Sequence, residues 1–404
     1  MISVEDALAR IRDSLTRLPA ELVGLNDGLG RVLAEDLASR RSQPPFAASA
    51  MDGYALRAAD LATVPTRLKL VGYVPAGARH DGIVGPGEAV RIFTGAPIPD
   101  GADTVMIQED TEAEGDFVLI RTAPVLGQHI RAAGTDYVEG QIGLAAGTRL
   151  GARDLGLAAG MNRPWLMVHR RPRVALLPTG DEIALPGDPV GPNQIVSSNG
   201  TALAAMIAGA GGIPVQLGIG RDDTAALRRL AEGAAGADLL VTIGGASVGE
   251  HDLVQSALGE AGLDLDFWRI AMRPGKPLMF GRIGATAVLG LPGNPVSALI
   301  CGLLFLVPAL ERLQGLPGEA PATEPALAAT DLPANDRRQD YLRAQLHADD
   351  EGRWHATPFR RQDSSMMSTL AAADALIVRP PHAPAAPVGA PIRILRLARR
   401  GIWI

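Results

Sequence analysis

Five short segments in the middle of the chain follow apolar runs and carry residues that could do chemistry. They contain carboxylates, two cations and closely spaced glycines. If the apolar runs are parallel strands, their carboxyl ends share one edge of a sheet, which is where open α/β sheets bind ligands. The five segments therefore predict one crevice. They are PTGDE (178–182), GRDD (220–223), GGASVGEHD (244–252), RPGKP (273–277) and LPGNPVS (291–297).

The acidic residues of these segments could hold a divalent cation. Carboxylate oxygens without clustered cysteine or histidine suit Mg²⁺ rather than zinc. Singly, each is better explained as a helix cap or a solvated charge, and Asp223 before Thr224 is the clearest cap. As a group facing one crevice, they favour a metal site or proton transfer. They are Asp181, Glu182, Asp222, Asp223, Glu250 and Asp252.

Two segments could seat an anion on backbone N–H groups. Gly244, Gly245 and Ser247 lie in a glycine-rich turn between a strand and a helix. That turn matches neither the dinucleotide pattern GxGxxG nor the phosphate loop GxxxxGK[ST], and an ordinary tight turn is the alternative. In LPGNPVS, Asn294 and Ser297 precede a helix N-terminus, so helix capping explains them equally well.

The fifth segment supplies Arg273 and Lys276, cations suited to a phosphate or another oxyanion. A solvated surface turn is the alternative. Lysine is rare here, since only Lys69 and Lys276 among the 38 basic residues are lysine, and that rarity weakens the alternative. The seven histidines are scattered, and only His251 falls in these segments, so no Ser-His-Asp arrangement is indicated.

The elements that position these segments form an α/β pattern from Arg173 onward. Short apolar strands alternate with helices, which predicts a doubly wound domain with a mostly parallel sheet. Asn199 is the expected N-cap of the first of these helices, and Gly211-Gly212 its end. The expected strands are 173–178, 213–219, 238–243 and 264–271 with a hairpin at Gly284, and the expected helices are 200–210, 224–235, 252–261 and one from Val296.

The rest of the chain is expected to be rich in β-structure. An amphipathic helix begins the sequence, with Ser3 and Asp6 as a capping pair, and short strands and turns follow. Residues 1–170 are expected to hold two subdomains, a helical and linking part (1–45 with 138–170) and a β-rich part (46–137). The α/β domain spans 171–315, and a small C-terminal β-barrel-like domain spans 325–404.

Composition excludes several classes of protein. The net charge of −6 offers no basic excess for nucleic acid or an anionic membrane, and four tryptophans, four tyrosines and seven phenylalanines are too few for a base-stacking platform. Cys301 is the single cysteine, so we expect a core residue and no intramolecular disulfide. Its apolar run, 298–310, is short for a membrane span and contains Pro308. No signal peptide is expected, and the cytoplasm is the expected location.

Six motifs in order resemble the molybdopterin molybdotransferase family, the MoeA and gephyrin E-domain proteins. The resemblance covers essentially the whole chain, and motifs of this length in one order are very specific. They are PPFAASAMDGYA (44–55), RIFTGAPIPDGADTVMIQED (91–110), LLPTGDEI (176–183), TIGGASVGEHD (242–252), RPGKPLMFG (273–281) and LPGNPVSAL (291–299).

The resemblance implies an activity. Such enzymes insert molybdate into adenylylated molybdopterin with Mg²⁺, releasing AMP and forming molybdenum cofactor. It also implies a homodimer whose site lies between the α/β domain of one subunit and the N-terminal region of the other. The molybdopterin adenylyltransferase and chaperones of molybdoenzymes are expected protein partners. Acidic loops would repel two anionic substrates, and Mg²⁺ with Lys276 and backbone N–H groups would offset that repulsion.

The resemblance also implies roles for individual residues. Arg273 stands where some family members have lysine, which ranks it below Lys276 as an anion ligand. The metal ligands would be Glu182, Asp222 and Asp252. The catalytic set would be Asp52, Thr94, Glu182, Asp222, Asp252 and Lys276. The substrate-binding set would be Ser49, Asp136, Asp181, Gly244, Gly245, Ser247, Arg273, Pro292, Asn294, Pro295 and Ser297.

Two other functions remain as alternatives. One is the preceding step, adenylylation of molybdopterin, although an enzyme for that step alone would not need the first 170 residues or the β-rich tail. The other is a non-catalytic pterin-binding scaffold, although no additional scaffold domain is evident within the 404 residues. Molybdate and tungstate cannot be told apart by sequence, because both are tetrahedral oxyanions of similar size.

Overall fold

The computed structural model describes residues 1–245 and 253–397. The chain forms two compact units, each described here by itself. The first unit contains the α/β domain and the C-terminal β-domain, and the second contains most of the N-terminal region. The first unit is Met1–Glu21, Gly30–Ala34 and Met167–Ile404, and the second is Leu22–Leu29 and Glu35–Leu166.

A six-stranded sheet forms the centre of the first unit. Four neighbouring strands run parallel, and a hairpin adds two antiparallel strands at one edge. Three of the parallel strands are almost entirely buried because helices cover both faces of the sheet, and the edge strand Ile213–Gln216 is partly exposed. The prediction of a doubly wound α/β domain is confirmed. In spatial order the strands are Ile213–Gln216, Arg173–Pro178, Leu239–Ile243, Thr286–Leu291, Met279–Ile283 and Leu263–Trp268.

The helices between these strands begin and end largely at the expected signals. Asp223 caps Thr224–Glu232, since its side chain accepts a hydrogen bond from the Ala226 N–H at 2.6 Å. Asn199 does not act as the predicted cap. The helix Asn199–Gly209 has Ser198 at its N-cap position, without a side-chain hydrogen bond, and ends before Gly211, whose φ is +87°. The third helix is Leu253–Glu260.

The last helical stretch of this domain is longer than the apolar run suggested. Pro295–Cys301, a π-helical turn Gly302–Leu306 and Val307–Leu313 follow one another without a break. Pro308 does not interrupt the stretch, and the wider π turn precedes this residue, which lacks an N–H. By length and composition the 19 residues could cross a membrane, but 72% of the most apolar part of this stretch is buried inside the protein.

The N-terminal helix, Val4–Ser14, belongs to the first unit. Ser3 Oγ accepts from the Asp6 N–H at 2.9 Å, so the predicted capping pair forms. Ala7, Leu8 and Ile11 pack into the same hydrophobic core as Cys301, which is fully buried. The grouping of residues 1–45 with 138–170 stays a prediction. The compact units divide the chain differently at this helix because its apolar side is buried in the α/β domain.

The C-terminal domain is a closed five-stranded barrel, which confirms the predicted β-barrel-like fold. Its strands enclose a small apolar core, and the short helix Met367–Ala371 follows the third strand. A two-residue strand of the α/β domain, Met272–Arg273, adds in parallel to the barrel's longest strand. The barrel strands are Glu324–Ala328, Gln339–Ala348, Trp354–Pro358, Ala375–Arg379 and Pro391–Arg396.

The second unit contains a six-stranded mixed sheet with apolar residues on both faces. Shorter strand pairs and the helix Ala152–Gly160 complete the unit. Strands Ala20–Gly24 and Trp165–His169 lie where the chain passes between the units. In spatial order the sheet strands are Thr104–Ile107, Gly53–Leu56, Glu88–Ile92, Thr66–Val74, Phe117–Ile120 and Thr111–Glu114, and the short strands are Leu37–Ala38, Ala48–Ser49, Ile130–Arg131 and Ile142–Leu144.

Candidate functional site

A cleft of about 610 Å³ lies at the carboxyl ends of the parallel strands. All five of the sequence segments contribute to it, so the structure brings together what the strand pattern predicted would meet. Its lining residues are Pro178, Thr179, Gly180, Glu182, Ile183, Ile195, Val196, Ser197, Ser198, Asn199, Asp222, Ile243, Gly244, Gly245, Pro277, Pro292, Gly293, Asn294, Pro295, Ser297 and Ser365.

Glycines form the floor of this cleft because the backbone segments approach each other closely. Gly244 and Gly245 have φ values of +94° and +62°, which L side chains rarely adopt. A β-carbon on Gly245 would lie 2.0 Å from Val254 Cγ2, and one on Gly244 would lie 3.0 Å from the Thr179 oxygen. The Gly244 N–H donates to the Leu291 oxygen at 3.0 Å. The predicted anion seat is therefore available at Gly245, whose N–H has no acceptor among residues 1–245 and 253–397.

The acidic segments PTGDE and GRDD are joined by hydrogen bonds. Asp181 Oδ1 accepts from the Asp222 N–H at 3.2 Å, and Arg221 donates to the carbonyls of Asp181 and Ile183 at 2.9 and 3.3 Å. Asp181 thus holds the two turns together. The Glu182 carboxylate folds over Gly180, where a β-carbon would lie 2.3 Å from its Oε2. Among the described residues, Glu182 and Asp222 are the carboxylates that line the cleft.

Two carboxylates fit the way Mg²⁺ is usually bound. Mg²⁺ takes one or two carboxylates plus substrate phosphates and keeps several waters, so it does not need an all-protein cage. Within the described ranges no three or more histidine, cysteine, aspartate or glutamate residues group as a metal site. Ser247, Glu250, His251 and Asp252 lie outside the described residues. The donor set therefore fits a substrate-bridged Mg²⁺ and stays a prediction as a metal site.

The two cations of RPGKP have different surroundings. Lys276 is half-buried next to Pro277, which lines the cleft, and no carboxylate of the described chain lies within ion-pair distance of its ammonium. Arg273 instead pairs with Asp340 and Asp336 of the barrel. The hydrogen bond to Asp340, despite partial desolvation, raises the pKa of Arg273 above its ordinary value. Of the two cations, Lys276 is the one without a carboxylate partner among residues 1–245 and 253–397.

The LPGNPVS segment is held by contacts that its capping pattern did not suggest. Asn294 occupies the N-cap position and Pro295 the first turn, but no side-chain capping bond forms. The Asn294 amide donates to Ser364 Oγ at 2.9 Å. Asn199, the expected helix cap, donates to the Gly293 oxygen at 2.7 Å. Pro292 and the buried Ser297 complete the lining on this side.

Sequence reasoning missed Ser365, which the C-terminal domain contributes to the cleft. Arg343 is 1% exposed and holds this segment, since it donates to Gln362 Oε1 at 3.2 Å and to the Met366 oxygen at 3.2 Å. Burial lowers the pKa of Arg343 below its ordinary value. The two adjacent serines of RQDSSMMS were the one feature of the sequence that could have indicated this contribution. No local pattern connects them with the loop at Asn294, 70 residues earlier in the chain.

The second unit holds Asp52, Thr94, Ser49 and Asp136. The Asp52 carboxylate accepts from both the N–H and the hydroxyl of Thr94 at 2.8 Å. These two bonds lower the pKa of Asp52 from its ordinary value, so the exposed carboxyl is ionised at neutral pH. Ser49 is buried and donates to the Met51 oxygen at 2.6 Å, whereas Asp136 is exposed. The structure thus joins Asp52 and Thr94, 42 residues apart in the chain, through two hydrogen bonds.

Gly53, directly after Asp52, begins a strand that lies very close to its neighbour. A β-carbon at Gly53 would lie 1.8 Å from the Met106 oxygen of the neighbouring strand. Arg91 donates to the Gly53 oxygen at 3.0 Å, and the Gln108 N–H donates to the Asp52 oxygen at 3.1 Å. The backbone on both sides of the Asp52 carboxylate is therefore held in place.

Three family models match the chain in sequence order. Residues 2–161 match the MoeA N-terminal region (domain I and II), 175–312 a probable molybdopterin binding domain, and 325–397 the MoeA C-terminal region (domain IV).

Curated relatives and a solved structure agree with these matches. A protein of Nostoc sp. named molybdopterin molybdenumtransferase is 36% identical over 360 residues, covering 86% of this chain and 83% of its own. One of the same name from Bacillus subtilis is 32% identical over 390 residues, covering 94% and 90%. A crystal structure titled as a molybdopterin biosynthesis MoeA protein of Pyrococcus horikoshii superposes with a TM-score of 0.84 at 32% identity, covering 98% of this chain and 99% of that one.

Proposed function

The chain belongs to the MoeA family of molybdopterin molybdenumtransferases, and from that premise we propose how its cleft carries out the transfer. It is an enzyme of molybdenum cofactor biosynthesis that transfers molybdenum to molybdopterin. We propose that the form it accepts is adenylylated molybdopterin, that molybdate is the second substrate, and that AMP is released. The observation that carries this proposal is the convergence of all five polar segments on one cleft of about 610 Å³.

Two carboxylates line the cleft, and Lys276 precedes the lining residue Pro277, an arrangement that suits two anionic substrates. Lys276, unpaired with any described carboxylate, and the Gly245 N–H would contact oxyanion oxygens. Glu182 and Asp222 line the same cleft and would repel an anion unless a cation lies between them. These two carboxylates, with Asp252, would hold Mg²⁺. When bound, Mg²⁺ supplies positive charge beside the phosphate and stabilises the charge that develops on the leaving oxygen.

The remaining residues orient the substrates. Asn199 donates to the Gly293 oxygen of the LPGNP turn, Asn294 of that turn donates to Ser364, and Ser365 lines the cleft. Ile183, Ile195 and Val196 give one wall an apolar surface that can exclude water beside a flat ring. The sulfur ligands of molybdenum belong to molybdopterin itself, so the site needs no cysteine, and Cys301 is buried in the core.

We propose that the working enzyme is a homodimer in which Asp52 and Thr94 of one subunit complete the cleft of the other. The support for this is that Asp52 and Thr94 belong to the second compact unit, whereas the described residues that line the cleft all belong to the first. The cytoplasm, the adenylyltransferase as donor of the adenylylated substrate, and chaperones as recipients of the cofactor belong to the same proposal.

The test is AMP release from adenylylated molybdopterin, measured with and without molybdate and with and without a chelator. We expect release only when both molybdate and Mg²⁺ are present. Glu182→Gln and Asp222→Asn should each raise the Mg²⁺ concentration needed for half-maximal release, and the exposed Asp350→Asn is the matched control. Formation of adenylylated molybdopterin from ATP would favour the adenylyltransferase instead. Pterin binding without turnover would favour the scaffold.

A further inference from the structure

Arg273 and Lys276 lie three residues apart, but the structure gives them different tasks. The Arg273 guanidinium faces the C-terminal barrel. Its Nε donates to Asp340 Oδ2 at 3.1 Å, its Nη1 to Asp336 Oδ2 at 3.3 Å, and its Nη2 to Asn335 Oδ1 at 3.4 Å, with a further bond from Nη2 to Asp340. We refer to Arg273, Asp336 and Asp340 as the latch.

The latch leaves Arg273 little capacity to bind an anion. A guanidinium has five N–H donors, and four of them are used here. Arg338 also pairs with Asp336, so two cations and two carboxylates balance to no net charge. An oxyanion approaching Arg273 would compete with two carboxylates and meet no net positive charge.

Asp340 depends on Arg273 in turn. Its side chain is only 5% exposed, and its Oδ1 has no hydrogen-bond partner in the described structure. The two residues are also backbone neighbours, because Met272–Arg273 pairs in parallel with Gln339 and Asp340, and the Gln339 N–H donates to the Ala271 oxygen at 2.9 Å. The barrel therefore binds the RPGKP loop in two ways, by backbone pairing and through the buried carboxylate of Asp340.

The other end of the loop is held against the α/β core. Gly275 has a φ of +112°, and a β-carbon there would lie 2.5 Å from Cys301 Sγ. The Lys276 oxygen accepts from the N–H groups of Ile270 and Leu278 at 3.0 and 3.1 Å. The loop is thus fixed at Arg273 on the barrel and at Gly275 on the core, and Lys276 comes directly after these anchors.

We propose that Arg273 is a positioning residue: through Asp340 it docks the RPGKP loop on the barrel and so sets where Lys276 meets the anionic substrate. This inference rests on the role proposed above for Lys276. It assigns the C-terminal barrel a task in catalysis, because the barrel supplies the latch carboxylates as well as Ser365.

The decisive variant is Asp340→Asn, for which two readings predict opposite results. If Arg273 positions the loop, the KM for molybdate rises roughly tenfold or more, since small misplacements of binding groups are costly. If Arg273 is itself an anion ligand restrained by Asp340, the same change frees its guanidinium and lowers that KM. A lowered KM overturns the proposal.

Arg273→Lys should behave like Asp340→Asn, because a single ammonium cannot reproduce the fork of bonds. The double variant should be no worse than the worse single variant, since both break one interaction. Glu324→Gln is the control, because it removes a carboxylate that pairs with Arg396 within the barrel and leaves the latch intact. Should Asp340→Asn fold poorly, Asp336→Asn removes the more exposed latch carboxylate. Additive losses in the double variant would contradict the proposal.

Amide hydrogen exchange gives a readout that does not need turnover. The Gln339 and Ile270 amides should exchange faster in the latch variants and at the wild-type rate in Glu324→Gln. Unchanged exchange in Asp340→Asn refutes the docking role. If Lys276→Ala leaves the KM for molybdate unchanged, the role proposed for Lys276 fails and the inference fails with it. If Lys276→Ala raises that KM and the latch variants do not, only the inference fails.

Discussion

Gly245 has a backbone conformation and a neighbour that leave no room for a β-carbon. Its φ is +62°, and a β-carbon would lie 2.0 Å from Val254 Cγ2 and 2.8 Å from Val254 Cβ. Val254 is 3% exposed and packs in a hydrophobic core, so it has little freedom to move away. We therefore expect Gly245→Ala to destabilise the α/β domain.

The magnitude has two parts. A left-handed conformation costs alanine roughly 1–2 kcal/mol relative to glycine. Forcing a methyl group into a packed core costs about 1–3 kcal/mol more. Together the free energy of unfolding should fall by about 2–5 kcal/mol, and in a domain of this size the melting temperature should fall by roughly 5–15 °C.

Gly259→Ala is the matched control. Gly259 lies in the helix Leu253–Glu260, has no atom within 4 Å of its added β-carbon and does not have a positive φ. Alanine should therefore stabilise this helix by about 0.5–1 kcal/mol. Differential scanning calorimetry and urea unfolding of both variants give the comparison. A Gly245→Ala protein that melts within about 1 °C of wild type, or above Gly259→Ala, would show that the loop can relax and that the steric reasoning is wrong.

Three further predictions concern the proposed site. Lys276→Ala should lower turnover by roughly ten- to hundredfold, which is what the loss of a hydrogen bond to a charged group costs. Lys276→Arg should also have a lower turnover, because a guanidinium is broader than an ammonium. Wild-type turnover in either variant would contradict this. Thr94→Val removes a hydrogen bond that lowers the pKa of Asp52, so that pKa should rise towards its ordinary value and the acid limb of the pH–rate profile should move to higher pH. A lowered pKa of Asp52 stabilises the folded protein at pH values above the ordinary carboxyl pKa, and this stability is lost as the pH falls through the pKa of the folded state. Carboxyl NMR and unfolding near neutral pH should therefore both detect the change in Thr94→Val. An unchanged titration of Asp52 would refute the prediction. Mixing Asp52→Ala with Asp252→Ala chains should restore part of the activity through hybrid sites, whereas a fully active monomer in light scattering would exclude a shared site.

Local patterns in the sequence were sufficient for the elements of the α/β domain. Arg173–Pro178 was expected as a strand with the bounds that the structure has, and Asp223 caps its helix as expected. These features depend on residues that are close in the chain. The spacing of apolar residues indicates a strand or a helix, a side-chain oxygen three residues before an N–H can cap a helix, and glycine permits a positive φ where a helix ends. The meeting of the five segments was also predictable, because parallel strands place their carboxyl ends at one edge.

Contacts between distant segments were not predictable in this way. Asn199 has the residue type of a helix cap, but it binds the Gly293 oxygen, 94 residues away. Arg273 has the residue type of an anion ligand, but it faces Asp340, 67 residues away. The apolar side of the N-terminal helix predicts that this side is buried. Only the folded structure shows that the core of the α/β domain covers it.

Residue types and motifs alone were enough to identify which side chains could do chemistry, the class of the fold and the family. The tertiary structure was needed to show that Arg273, not Lys276, pairs with a carboxylate of the described barrel, and that Ser365 lines the cleft. The physical reason is that periodicity and capping record how each residue meets its near neighbours and solvent. The partner of a charged side chain is chosen by which carboxylate the packed core brings within hydrogen-bond distance, and that depends on the whole chain.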